Sequence, residues 1–271
     1  MPHFPAMIIL ALTLLALALY LASAAALARP LFTGNQPLTR VAMSMASVAA
    51  LAHVGVLLLA HHGTLDFHFF AALSLMAWVV SVLTLIVNLT LPVAGLGVLI
   101  FPLTAALLAL DVFIAGPSAP KPMNWQIELH VTMAVLGFGL LSIAAALAIL
   151  LAIQERALRR SQFGHWLRAL PPLTATEVLF FRLIAVGFVP LTLTLVTGAL
   201  FVGNLFSQHL VHKTVLSIAA WIVFGTLLWG RWRYGWRGRR AVNLTLIGMG
   251  VLLLAFFGTK AVLELILHRG G

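Results

Sequence analysis

Ten histidines, six acidic residues, two tyrosines and no cysteine are the side chains from which this 271-residue chain could build chemistry. Without cysteine it carries no disulfide, zinc-thiolate, iron–sulfur or thiol-redox site and no thioether link to a prosthetic group. Any bound metal must rest on imidazole, carboxylate, methionine or backbone. The spacings G-x-S-x-G, H-E-x-x-H and G-x-x-x-x-G-K-[ST] do not occur, and the acids are scattered over different connections without forming a carboxylate dyad. Catalysis by side chains alone is not expected, and the chain is read as a non-enzyme whose imidazoles act as ligands.

Apolar helices must position those imidazoles. Hydrophobic residues make up 62% of the chain and charged ones 8%, more apolar surface than a soluble fold of this size could cover. A bilayer-spanning helix takes about 20 apolar residues. Eight segments qualify, at 7–28, 40–60, 67–91, 93–115, 129–153, 178–202, 213–229 and 241–266. The fold class is therefore all-α, a polytopic membrane protein of about eight transmembrane helices forming a single integral domain over residues 1–271. Pro92 is almost the only punctuation between the third and fourth spans, so one long kinked helix is the alternative there. Thr174 and Glu177 read as a T-x-x-E capping box opening the sixth span, after a connection over 154–176.

The net charge of +10 would suggest nucleic acid in a soluble protein, but here the basic residues flank apolar spans. Arg29 and Arg40 lie between spans one and two. Arg156, Arg159, Arg160, Arg168 and Arg182 lie between or beside five and six, and Arg231, Arg233, Arg237, Arg239 and Arg240 between seven and eight. With eight spans all of these share one side, against Lys121, Lys213, Lys260 and Arg269 on the other. The positive-inside rule then sets both termini outside the cytoplasm. The first span is read as a retained helix rather than a signal peptide, since Met1 to Ala6 contain no Lys or Arg.

In this topology the histidines are asymmetric. His3, His61, His62, His68, His130, His209, His212 and His268 fall at or beyond the outer surface, His53 in the outer half of span two, and only His165 on the cytoplasmic side. His53 lies ~10 Å inside its helix, seven residues from the outer end at about 1.5 Å each, among apolar neighbours. A polar ring at that depth needs a partner and marks a candidate site. His130 opens span five one helical turn from Trp125 and Gln126, the former an indole able to stack on a flat apolar cofactor. His209 and His212, spaced i, i+3, would share one helix face. Imidazole is the common proximal ligand of haem iron, and haem has apolar faces that a helix bundle can bury while its propionates seek cations. Lys121, Lys213 and Arg269 are outer-side cations able to meet them. Lys260, Glu264 and Asp111 are read as structural.

Several stretches resemble a known family. Ala220-Trp221-Ile222-Val223-Phe224, Tyr234-Gly235-Trp236-Arg237-Gly238-Arg239-Arg240-Ala241 and the glycines Gly248 and Gly258 look like the C-terminal region of the cytochrome c assembly family. Those haem-handling membrane proteins include CcsA, CcmC and HemX. Leu129-His130-Val131 with Leu136-Gly137-Phe138, and Pro171-Pro172-Leu173, also resemble that family's core, so the similarity covers about 125–268. The resemblance implies that His130 matches the first outer-side haem-ligand histidine and His268 approximately the second. Where the family carries a tryptophan-rich stretch, this chain has Phe206-Ser207-Gln208-His209-Leu210-Val211-His212-Lys213-Thr214, and Trp229 stands where a histidine is expected late in span seven. In this the chain is similar to the YpjD-type subgroup of eight-span inner-membrane proteins. The resemblance implies haem b bound at the bacterial inner membrane through His53 and His130, with His212 or His268 as substitutes and Trp125 against the ring. It also implies a role in haem trafficking or cytochrome c assembly, with haem, the bilayer and a membrane-protein partner as its contacts and no nucleic acid. A haem-free scaffold docking a partner through the basic connections is the alternative, and a haem-based electron-transfer subunit a third reading.

Overall fold

Within lipid, a helix is the structure by which a single segment satisfies all of its own backbone hydrogen bonds, and Ala and Leu adopt it at the lowest cost. The apolar segments follow that rule. The structure, a computed structural model, describes residues 3–33, 38–60, 69–90, 93–114, 124–160, 172–201 and 211–258. Among these the chain is helical throughout, without strands: α1 (His3–Thr33), α2 (Thr39–Ala60), α3 (Phe69–Asn88), a short 3-10 turn (Ala94–Leu96) leading into α4 (Gly97–Ile114), α5 (Trp125–Arg159), α6 (Leu173–Phe201), α7 (Val211–Tyr234) and α8 (Gly238–Leu253), which runs into a π turn at Leu254–Gly258. Eight of the described segments are long and apolar enough to cross a membrane, the number expected from the apolar pattern.

Three boundaries differ from, or decide between, the sequence expectations. The third and fourth spans are separate helices, because α3 stops at Asn88 and the chain turns there, with Leu89 N–H donating to the Ile86 carbonyl at 3.1 Å and Thr90 N–H to that of Val87 at 3.2 Å. Helix α5 runs past residue 153 to Arg159: Gln154 and Ala157 are buried on its inner face, and Arg159 pairs one turn back with Glu155 at 2.6 Å. The connection expected from residue 154 therefore starts later. Helix α6 begins at Leu173, which puts Thr174 inside its first turn and not at the cap.

The described helices fall into two compact units, α1–α4 and α5–α8. In the first, α1 packs on α2 and α4, and α3 on α4 and α2. The first half of the face that α2 turns inward is alanine (Ala42, Ala46, Ala49, Ala50 and Ala52), so neighbouring helices approach closely there, before His53, Val56 and Leu57. Ser23 closes one such contact by donating across to the Ala42 carbonyl at 2.8 Å, and Ala16, Ala52, Val56 and Leu108 form a packed centre.

In the second unit α5 runs against α6 along its length, with α8 on α5 and α7. The α5–α6 approach depends on two glycines. A Cβ on Gly137 would stand 3.0 Å from the Leu191 backbone nitrogen, and one on Gly187 3.0 Å from Leu141 Cγ. Pro190 lies inside α6 at that crossing, and the Thr194 hydroxyl donates to the Pro190 carbonyl at 2.7 Å. At the π turn, Phe256 and Phe257 lie 5.3 Å and 5.8 Å from the Phe138 ring, centroid to centroid.

The arginine-rich end of this unit is built around one carboxylate. Gly235 and Gly238 both have positive φ (65° and 57°), which lets the chain reverse tightly between α7 and α8. Trp236 folds back so that its N–H meets the Gly230 carbonyl at 3.2 Å. Arg237 Nε and Nη2 then grip the two oxygens of Glu177 at 2.7 Å and 2.8 Å, and Arg231 Nη1 adds a third contact at 3.2 Å. Arg231 also covers the Phe181 ring at 4.5 Å, and Arg240 the Trp236 ring at 5.0 Å. This corrects the capping-box expectation, since a bidentate guanidinium outbids a backbone N–H for the Glu177 carboxylate. The same carboxylate raises the pKa of Arg237, by hydrogen bonding first and charge second. Glu177→Gln is expected to lower the stability of the protein in detergent by about 1–2 kcal/mol, the modest size reflecting the exposure of Arg237. Thermal unfolding followed by circular dichroism measures it, and a change below about 0.3 kcal/mol would assign the cluster no stabilising role.

Candidate functional site

His130 sits in the second turn of α5, half-buried, at the end of the second unit opposite the arginines. Antiparallel packing brings the C-terminal end of α6 to the same place. His130 Nδ1 lies 3.1 Å from Thr197 Oγ1. The next residue is Gly198, where a Cβ would stand 3.2 Å from His130 Cε1, so the imidazole occupies space that a side chain would contest. Trp125, one turn earlier on α5, is exposed and meets Phe201 edge-on at 5.7 Å. The imidazole thus lies against Thr197 and Gly198 of α6, and the Trp125–Phe201 ring pair closes the same ends of α5 and α6. The α7 start reaches this end as well, carrying the exposed His212 and, beside it, Lys213.

His53 lies in the first unit and is fully buried. Its Nε2 is 3.0 Å from Ser74 Oγ on α3, the polar partner that an intramembrane imidazole requires. The Tyr20 ring stands edge-on to it at 6.0 Å and stacks in turn on Phe101 at 5.8 Å. Nδ1 has no hydrogen-bond partner among the described residues. A second polar contact joins α3 to α4, where Ser81 Oγ and Thr104 Oγ1 are 2.7 Å apart and Thr104 donates to the Ile100 carbonyl at 2.9 Å.

Of the residues singled out from the sequence, His130, Trp125 and His212 share one end of the second unit, and His53 belongs to the first. His268 lies outside the described residues, as do His61, His62, His68, His165, His209, Lys121, Lys260, Glu264 and Arg269. Asp111 is buried within α4. No cluster of three or more His, Asp or Glu with metal-binding geometry occurs among the described residues. Thr197, Gly198 and Phe201 are site residues that sequence reading missed, because no spacing rule ties residue 130 to a partner 67 positions away.

The donor set suits a planar metal cofactor. His53 keeps Nδ1 outside any hydrogen bond given by the described residues, while His130 bonds Thr197 through Nδ1 and also meets the Thr194 backbone, with exposed aromatic rings at the same helix ends. A haem needs little else from the protein: one or two imidazole nitrogens, apolar walls and cations at its edge.

Comparison with known proteins gives a consistent picture. The family model described as cytochrome C assembly protein matches residues 39–267. The match reaches back through α2–α4, further than the 125–268 stretch that carried the resemblance. The chain is similar to the inner membrane protein YpjD of Escherichia coli (strain K12), 40% identical over 137 residues, which is 51% of this chain and 52% of that protein. A 28.8 kDa protein from the nifR3-like 5' region of Azospirillum brasilense is 36% identical over 150 residues, 54% of each chain. The cytochrome c biogenesis protein CcsA of Synechococcus sp. (strain CC9902) is 22% identical over 232 residues, 74% of this chain and 76% of that one. The chain thus spans about half the length of the more similar curated relatives and about three quarters of the CcsA protein. No solved structure matches.

Proposed function

From the premise that the chain belongs to the cytochrome c assembly protein family, we propose that it binds b-type haem at the inner membrane and serves haem trafficking in cytochrome c assembly, without itself being an enzyme. It is a multi-pass inner-membrane protein, and its family ties it to a haem-related role in cytochrome biogenesis. The supporting observation is the His130 patch: a half-buried imidazole with Nδ1 at Thr197, seated on Gly198, and the Trp125–Phe201 pair at the same helix ends. When bound, haem supplies an iron centre that takes axial imidazole ligands.

In this reading His130 is the ligand of the second unit, Trp125 and Phe201 cover part of the macrocycle, and Lys213 is a cation at the same end for a propionate. His53, with Nδ1 lacking a hydrogen-bond partner, is the ligating imidazole of the first unit, and His212 is a substitute. The clustering of arginines in the connections supports, by the positive-inside rule, an orientation with His130 and both termini outside the cytoplasm.

The test is a dithionite-reduced minus oxidised spectrum with pyridine-haemochrome quantification, on protein purified in mild detergent from haem-replete cells. The expected result is b-type bands at near one haem per chain. Protein that stays haem-free after reconstitution, and instead co-purifies with a stoichiometric membrane partner, would replace this reading with the scaffold one.

A further inference from the structure

A neutral histidine can offer only one of its two nitrogens to a metal, and the hydrogen bond made by the other decides which. Thr197 settles that choice for His130. Its hydroxyl carries a single hydrogen, and two backbone carbonyls compete for it: that of Leu193 at 2.8 Å and that of Thr194 at 3.1 Å. With that hydrogen on either carbonyl, Oγ1 faces His130 with lone pairs only, and the Thr194 backbone carbonyl, which also meets the ring, can only accept from it. The 3.1 Å contact is then formed with Nδ1–H donating to Thr197 Oγ1, and Nε2 carries the free lone pair.

The same helix shows this arrangement again with a donor whose role admits no choice. One and a half turns earlier, the Thr192 hydroxyl donates to the Phe188 carbonyl at 2.8 Å and receives the Trp221 indole N–H at 2.9 Å. Indole nitrogen can only donate, so a threonine of α6 that is bonded back into its own helix does act as an acceptor toward a neighbouring helix. Thr192 does this for α7 and Thr197 for α5. Gly198 completes the seat, because a Cβ there would stand 3.2 Å from Cε1 and the ring would have to give by a few tenths of an ångström.

We propose that Thr197 is a positioning residue that fixes His130 as the Nδ1–H tautomer and presents Nε2 as the ligating nitrogen. The tautomer assignment stands on this hydrogen-bond geometry, and its use for iron rests on the proposed haem function. The experiment compares wild type with Thr197→Val, which keeps the shape and removes the acceptor, and Thr197→Ser, which keeps the hydroxyl.

The first readout needs no haem. In 15N-histidine-labelled, haem-free protein, with the His130 resonance assigned by its loss in His130→Gln, wild type and Thr197→Ser are expected to show protonated Nδ1 and unprotonated Nε2. Thr197→Val is expected to show an exchanging mixture or the opposite tautomer. The second readout is haem affinity, expected to fall about 10–100-fold in Thr197→Val and to recover in Thr197→Ser. An unchanged Nδ1–H resonance in Thr197→Val overturns the proposal, whether or not haem binds. If the tautomer responds as expected while wild type takes up no haem, the haem reading fails and the Thr197 assignment stands.

Discussion

Replacing His130 with alanine is expected to lower the haem content of the purified protein at least about tenfold while leaving its fold intact. The two halves of that expectation have separate physical origins. His130 is half-buried and makes one side-chain contact, to Thr197, whose own hydroxyl hydrogen remains engaged by the Leu193 or Thr194 carbonyl when the ring is gone. The variant leaves no buried donor without an acceptor, so its stability should stay within about 1 kcal/mol of wild type. If iron is ligated by His130 Nε2, however, no other side chain described on α5 or α6 replaces it. Pyridine-haemochrome content per mole of protein, with circular dichroism as the fold control, measures both. Full haem content in this variant would remove His130 from the site and turn attention to His212.

His53 is expected to respond in the opposite order, with stability changing first. It is fully enclosed, with Tyr20 against its edge and Ser74 bonded to Nε2. His53→Ala therefore opens a cavity and strips a buried hydroxyl of its partner, together about 2–4 kcal/mol. Loss of haem in that variant would be ambiguous, since an unfolded first unit could cause it. His53→Gln separates the causes: an amide of similar reach can still bond Ser74 but is a poor ligand for iron. Retained stability with reduced haem would make His53 a ligand. Retained stability with full haem would leave it the interhelical hydrogen bond that holds α2 to α3.

The contrast between the two histidines also shows how far sequence reasoning reaches. Depth in an apolar segment marks His53 as a ring that must find a partner, and that much is local. The partner, Ser74, stands across one connection, on a helix whose other serines and threonines look equally eligible. For His130 the neighbouring Trp125 is legible from spacing along one helix, whereas Thr197, Gly198 and Phe201 are not. Glu177 makes the same point from the other side. Its position three residues after Thr174 is a sound local signal for a helix cap, and the folded protein spends the carboxylate on Arg237 and Arg231. A charge-assisted bond to a residue 60 positions away outranks a cap worth about 1 kcal/mol.

By itself, then, the sequence determined the eight helices, their order and the segregation of arginine from histidine. It could do so because lipid demands about 20 apolar residues per crossing and leaves the backbone no partner outside its own helix. It also determined that any metal must be held by imidazole more than by sulfur. Only the tertiary structure decided which hydroxyl faces which ring, that α5 runs on to Arg159, and that one carboxylate gathers the arginines of the α7–α8 turn. Those outcomes depend on how closely helices cross, and the α5–α6 crossing is set by a missing Cβ at Gly137 and Gly187. A difference of one methyl group at a contact between distant segments leaves no periodic trace along the chain.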